Sequence, residues 1–176
     1  MVQTSQSGSP SLSAVDEKTD SSQFVSFQLA DQVYAFRIEQ IQEIVILGQV
    51  TSTPRVPDYC EGVSNLRGSI IPIINLRMLF GLEPRSADAE TRTIVVNVGE
   101  RTMGCTVDMV SQVIRISQSD IQPAPETVVG HGADYIVGFA KLEDRLVILL
   151  DIDKLLDPEQ LDRVRQVSIA GVEKTT

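Results

Sequence analysis

One histidine stands in the chain, His131, inside Gly130-His131-Gly132. An imidazole can act as a general base, but this one has no nucleophile or metal ligand near it in sequence. A solvated loop residue is therefore the expected role. The two cysteines, Cys60 and Cys105, are too few for a disulfide framework and lack metal-ligand spacing. Cys105 keeps phase with Met103 and Val107, as a small buried hydrophobe would. Asp151 and Asp153 would share one face of an extended segment, as acid/base or metal chemistry requires, but a solvated strand end leading into a helix is the simpler reading. No GxxxxGK(S/T) phosphate loop, no GxGxxG after a strand and no GxSxG elbow is present. What remains is recognition chemistry. Arg67 sits in an Asn-Leu-Arg-Gly turn between apolar runs, where its planar guanidinium could hold a partner's carboxylate or carbonyl. An ordinary exposed loop arginine is the competing reading. Glu43, flanked by Ile41 and Ile44, is either a solvated edge or an interface contact.

The elements that must position these residues come in two copies. Gly62 and Gly138 stand 76 positions apart, and the same offset lays Asp58 on Asp134, Tyr59 on Tyr135, Leu66 on Leu142 and the block Ile70 to Ile74 on Leu146 to Leu150. At an offset of 69, Phe24 to Val45 lies over Thr93 to Ile114 with apolar, turn and acidic positions matched. The copies differ at one corner, where Arg67-Gly68 becomes Glu143-Asp144. A shared core with reversed charge at one turn suggests two surfaces for different partners.

Met1 to Gln23 is polar and aperiodic, and 1–23 is expected to be a disordered tail. From Phe24 the alternation of Val25, Phe27 and Leu29 predicts a half-buried strand, followed by a turn at Ala30 to Gln32 and a second strand through Tyr34, Phe36 and Ile38. Glu39 to Val45 mixes helical and strand signals. Gly62 to Leu66 and Ser69 to Ile74 are further strands, the second with Pro72 marking an edge or bulge. Its four isoleucines read as core, although that edge could expose apolar surface. Asn75 can cap a short helix that Gly81 stops, and Asp157 to Gln160 reads as a capped helix start with Leu161 and Val164 as its apolar stripe. The polar stretch Glu83 to Glu90 is the expected boundary between copies. About five strands per copy is what a small, partly closed barrel requires. Two such barrels would pack together and leave a groove between them.

A net charge of −9 and a pI near 4.6 argue against nucleic acid or an anionic membrane as the main ligand. No apolar run is long enough to span a bilayer, and no signal architecture opens the chain, so a cytoplasmic protein without membrane insertion is expected.

At EGVSNLRGSIIPIINLR, with support from IQEIV, QPAPE and DYIVGFAKLEDRLVILLDIDKLL, the chain resembles the CheW family, the coupling proteins of bacterial chemotaxis. The resemblance runs from Phe24 to Val164. It implies an all-β fold with short helices, built as two tandem SH3-like five-stranded β-barrels with a C-terminal helix. The expected division is a CheW-like domain over 24–165, with 24–82 and part of the C-terminal segment forming the first barrel, 91–156 the second, and 166–176 a tail. It further implies a non-catalytic adaptor, with no cofactor and no metal, that joins the cytoplasmic tips of methyl-accepting chemoreceptors to the regulatory domain of a CheA-type histidine kinase. Matched residue by residue, the partner-binding groove would include Ile41, Glu43, Gly62, Arg67, Val110 and Val113, with Gly104 and Gly138 supporting its shape. Arg92 and Thr93 stand where related chains can carry apolar residues, so the edge of the second barrel is expected to differ in its contacts. A receptor-kinase pathway controlling type IV pili is an alternative within the family. A small-ligand-binding β-barrel is the alternative outside it, and would need an enclosed pocket with convergent polar groups.

Overall fold

The alternating apolar residues of Val25, Phe27 and Leu29 do form a strand, β1 (Ser21–Leu29), but it begins at Ser21 and not at Phe24. Ser21, Ser22 and Gln23 pair with Ser117, Ile116 and Arg115, so the last residues of the expected 1–23 tail belong to a sheet. The structure is a computed structural model describing residues 20–126, 134–157, 159–164 and 166; 1–19 and 167–176 of the expected tails, and His131, lie outside the described residues. After β1 come β2 (Gln32–Arg37), β3 (Ile41–Val45), β4 (Cys60–Leu66), β5 (Ser69–Asn75), the short helix α1 (Leu76–Leu79), β6 (Arg92–Val98), β7 (Arg101–Val107), β8 (Met109–Ser117), β9 (Gln122–Pro123), β10 (Ile136–Leu142) and β11 (Arg145–Leu150). The ambiguous segment before β3 resolves into a 3-10 turn over Ile38–Gln40, after which β3 is extended. A final helix over 159–164 starts with a reciprocal cap: the Gln160 amide donates to Asp157 Oδ1 at 2.7 Å, and the Asp157 amide donates to Gln160 Oε1 at 2.8 Å.

The strands form a six-stranded sheet in the order β8-β1-β2-β11-β10-β9 and a five-stranded sheet in the order β3-β6-β7-β5-β4. The fold is thus mostly β, with short helices. Within it the two sequence copies exchange strands. The hairpin β1–β2 joins β8, β10 and β11 of the second copy, while β6–β7 joins β3, β4 and β5 of the first. The exchange is sealed by two parallel pairings, β2 with β11 and β5 with β7. Under the repeat these two pairings are equivalents, as are all five strands of the smaller sheet and the five from β8 to β10. The sheets therefore do not follow the division at 24–82 and 91–156. The polar stretch Glu83 to Glu90 connects α1 to β6 within one sheet and marks no barrel boundary. Polarity shows where a chain is solvated, not which strands it will pair.

Exchange explains the continuous apolar runs in β5 and β11. In β11, Val147 and Leu149 enter a cluster with Phe24, Val33, Ala35 and Ile114, while Leu150 enters a second cluster with Phe27, Phe36, Ile74, Ile94 and Cys105. In β5, Ile71 and Ile73 pack with Val95 inside the smaller sheet's own core, and Ile74 faces the shared cluster. Each sheet thus has one apolar face inside its own barrel and one against the other sheet, which removes the period-two alternation expected of a half-exposed strand. Pro72 pairs with Val63 of β4, while the β7 ladder covers only Ile73 to Asn75, so its missing N–H falls where that ladder ends. The final helix closes the shared cluster with Val164, and Leu161 packs beside it.

Because the middle cluster draws on both sheets, denaturant should unfold them in one transition, and Leu150→Ala should cost about 2–5 kcal/mol for the pair together. A fragment covering 24–82 should show no dispersed amide spectrum, since β1–β2 and β3–β5 would each lack partner strands; a folded fragment would refute the exchanged topology.

Candidate partner-binding site

The turn between β4 and β5 has Arg67 and Gly68 at positive φ (51° and 90°), and the Asn65 side chain accepts from the Gly68 amide at 2.9 Å. Glu143, at the equivalent turn between β10 and β11, has φ 58°. The left-handed residue of the corner is repeated with its charge reversed, while Asp144 does not share the positive φ of Gly68. Arg67 does not stand alone: its Nη1 donates to Glu43 Oε2 on β3. The two residues singled out separately in the sequence are thus one ion pair. Glu43 is 18% exposed and Arg67 74%, so a half-buried carboxylate fixes the base of an exposed guanidinium. The other carboxylate oxygen, Oε1, is buried without a protein donor. Since β3 and β4 are the outer strands of the five-stranded sheet, the pair links its two ends. On the opposite face of β3 from Glu43, Ile44 is exposed, as is Ile46 just past the strand.

The glycines act differently. A Cβ on Gly62 would stand 2.0 Å from the Thr51 carbonyl oxygen, at a backbone φ of +136° that side chains rarely adopt. Thr51 bridges Val63 there through bonds of 2.8 and 2.9 Å. Gly138 repeats the arrangement: its Cβ would meet the Gln122 carbonyl oxygen at 2.5 Å, where β9 crosses β10. Gly104 leaves room for the ends of Thr93 and Ile73. All three serve backbone approach or packing. Ile41 and Val110 are half-buried against the cluster shared by the sheets, whereas Val113 on the edge strand β8 is exposed. The eight residues therefore divide into a charged corner on one sheet (Glu43, Arg67), an apolar set at the junction and β8 (Ile41, Val110, Val113), and three supporting glycines.

None of the eight lines the cavity of about 490 Å³ between β5, β7 and the final helix, whose walls include Ile70, Pro72, Val98, Met103 and Leu161. The other chemical candidates resolve as structural groups. Cys105 is fully buried, and burial pushes its thiol up to about 12; Cys60 is buried as well. Asp151 accepts from the Asp153 amide at 2.9 Å and caps a 3-10 turn. Among the described residues no group of three or more metal-type ligands occurs, and no helix is long and apolar enough to cross a membrane.

A second ion pair was not singled out from sequence. Arg77 of α1 grips Asp108, at the bend between β7 and β8, with Nε to Oδ1 and Nη2 to Oδ2 both at 2.8 Å. Asp108 Oδ2 also accepts from the Ala30 amide of the β1–β2 turn at 2.8 Å, and Arg77 Nη1 donates to the Glu83 carbonyl at 2.7 Å. Both side chains are nearly buried, at 13% and 12% exposure. Burial alone would raise the Asp108 carboxyl, but the Arg77 hydrogen bonds, the Ala30 amide and the nearby Arg77 and Arg85 charges outweigh it and hold the group below its ordinary value of 3.8. A sequence signal existed in Leu-Arg after the Asn75 cap, but its acidic partner lies 31 residues away.

Two tests follow. Arg67→Glu sets two carboxylates together and should lower stability by about 1–2 kcal/mol, while the neutral double variant Glu43→Gln/Arg67→Gln should recover most of that loss in thermal melts. Asp108 has a depressed folded pKa, so its stabilisation is complete above 3.8 and disappears as pH falls through the folded value. Asp108→Asn should therefore flatten the acid limb of the stability profile; an unchanged limb would exclude Asp108 as its source.

Comparison with known proteins agrees with this architecture. The family model for the CheW-like domain matches residues 23–160. The chain is 39% identical over 161 residues to the chemotaxis protein CheW of Klebsiella aerogenes, covering 92% of this chain and 97% of that one. It is 39% identical over 134 residues to the chemotaxis protein CheW of Helicobacter pylori, covering 76% of this chain and 81% of the relative. The crystal structure of the scaffolding protein TtCheW from Thermoanaerobacter tengcongensis superimposes with a TM-score of 0.71 at 31% identity, over 79% of this chain and 94% of that one. With the family model covering most of its length and a relative of 39% identity matching 92% of it, the chain belongs to the CheW-like family of non-catalytic chemotaxis scaffold proteins.

Proposed function

We propose that this protein is a cytoplasmic coupling adaptor that binds the cytoplasmic tips of chemoreceptors on one side and the regulatory domain of a CheA-type histidine kinase on the other. The observation that carries the reading is the charged corner: an exposed guanidinium held from below by a half-buried carboxylate. An exposed arginine fixed at its base suits an interface, because the ion pair removes much of the side-chain entropy that binding would otherwise take away. The receptor tip docks at this corner and along Ile41, Val110 and Val113, and the kinase domain uses the barrel edges. The negative turn at Glu143-Asp144 gives the second barrel an unlike surface at the equivalent corner. Such an adaptor alters kinase output only if its contacts differ between signalling states, so recruitment and control are separable properties.

Calorimetry with a receptor-tip fragment and with the kinase regulatory domain tests this. Binding of both is expected, and the neutral double variant Glu43→Gln/Arg67→Gln should weaken the receptor contact about tenfold, a loss of ~1.4 kcal/mol, with the kinase contact unchanged. Receptor affinity unchanged in a folded double variant would remove the corner from the receptor face.

A further inference from the structure

We propose that Arg77 and Asp108 are positioning residues that lock the two barrels in one orientation, so that a change at one partner surface reaches the other. The inference rests on the adaptor reading above for its functional consequence, but its structural part stands alone. Helix α1 continues directly from β5 and belongs to the barrel carrying Arg67. From there it reaches the other barrel at two points. Arg77 holds Asp108, whose carboxylate also takes the amide of Ala30 in the β1–β2 turn. The Asp108 amide adds a bond of 3.1 Å to the Gln28 carbonyl in β1. Phe80, at the end of α1, lies between Tyr34 of β2 and Tyr135 ahead of β10, with ring centroids 5.4 and 5.0 Å away. Directional bonds and ring stacking at one helix define the angle between the sheets more sharply than the nondirectional apolar layer does alone.

The repeat supplies an internal comparison. The offset that matches Gly62 to Gly138 lays Arg77 on Asp153, and the one that matches β2 to β7 lays Asp108 on Glu39. The second junction therefore has two acids where the first has an opposite-charge pair. Glu39 is 61% exposed, and among the described residues its carboxylate is paired with Arg37, at 4.0 Å. Barrel formation by this repeat does not need the clasp, since the duplicate junction is built without it. The clasp is a feature of one junction alone, the one directly downstream of the Arg67 turn.

The test uses the full chain with spin labels at Ile46→Cys and Val113→Cys, both exposed, the first just past β3 of the five-stranded sheet and the second on β8 of the six-stranded sheet, while native Cys60 and Cys105 are buried. The label-to-label distance distribution should be narrow in the parent chain and broad in Asp108→Asn. Arg77→Lys, which keeps the charge but loses the two-pronged grip, should broaden it as well. Asp108→Glu should restore the narrow distribution, and Glu39→Gln/Asp153→Asn should leave it unchanged. In a reconstituted receptor–kinase assay, folded Asp108→Asn should bind each partner alone as the parent does, yet lose about fivefold or more of the receptor's effect on kinase activity. Narrow distributions in both clasp variants would overturn the locking, as would broadening in the Glu39/Asp153 control. Broad distributions with undiminished kinase control would overturn its role in coupling. If the parent chain bound neither partner, the adaptor reading would fail while the distance result still judged the lock.

Discussion

The apolar layer between the two sheets is the constraint on which the rest of the molecule depends. Phe27 and Phe36 approach it from one sheet, Ile74, Ile94 and Cys105 from the other, and Leu150, Ile152 and Leu155 from the chain's last described strand and turn. Each barrel's private core is smaller, and one centres on Ile71, Ile73 and Val95. Cores of that size would leave either barrel marginal alone. The shared layer makes folding a joint event, and strand exchange makes it so covalently: neither sheet can be completed until both halves of the chain have been placed.

This arrangement suits a scaffold. A protein that holds two partners in fixed relation needs surfaces that keep their spacing, and continuous packing between sheets supplies stiffness without any catalytic machinery. On that base the directional contacts do the finer work. Glu43 and Arg67 tie the ends of one sheet at the corner proposed to meet the receptor, and Arg77 and Asp108 tie that sheet's helix to the other barrel. The duplication provided equal halves, and the charges then made them unequal. Arg67 faces Glu143 across the repeat, and the pair Arg77/Asp108 faces Asp153/Glu39.

Much of this was legible in the sequence because it depends on local periodicity. The repeat, the strand positions, the caps at Asn75 and Asp157 and the burial of Cys105 follow from neighbouring residues, and the structure has each of them. The strand exchange was not legible, since a repeat shows that two units exist and says nothing about which strands they share. The start of β1 is not legible, because Ser21 to Gln23 have no apolar signal and are ordered by pairing with β8. Arg67 and Glu43 each stand out from their settings in sequence, but their contact spans 24 residues. For Arg77 and Asp108 no local pattern marks the partner, so the clasp became visible only in three dimensions.

The central claim is that one rigid unit presents separate surfaces to two partners at once. Hydrogen–deuterium exchange on the full chain, with receptor-tip fragment and kinase regulatory domain added singly and together, tests it most directly. The account predicts that the receptor fragment protects β3, the β4–β5 turn and β8, that the kinase domain protects a different set, and that both sets are protected in the ternary mixture. Protection of the same segments by each partner, with one displacing the other, would contradict it.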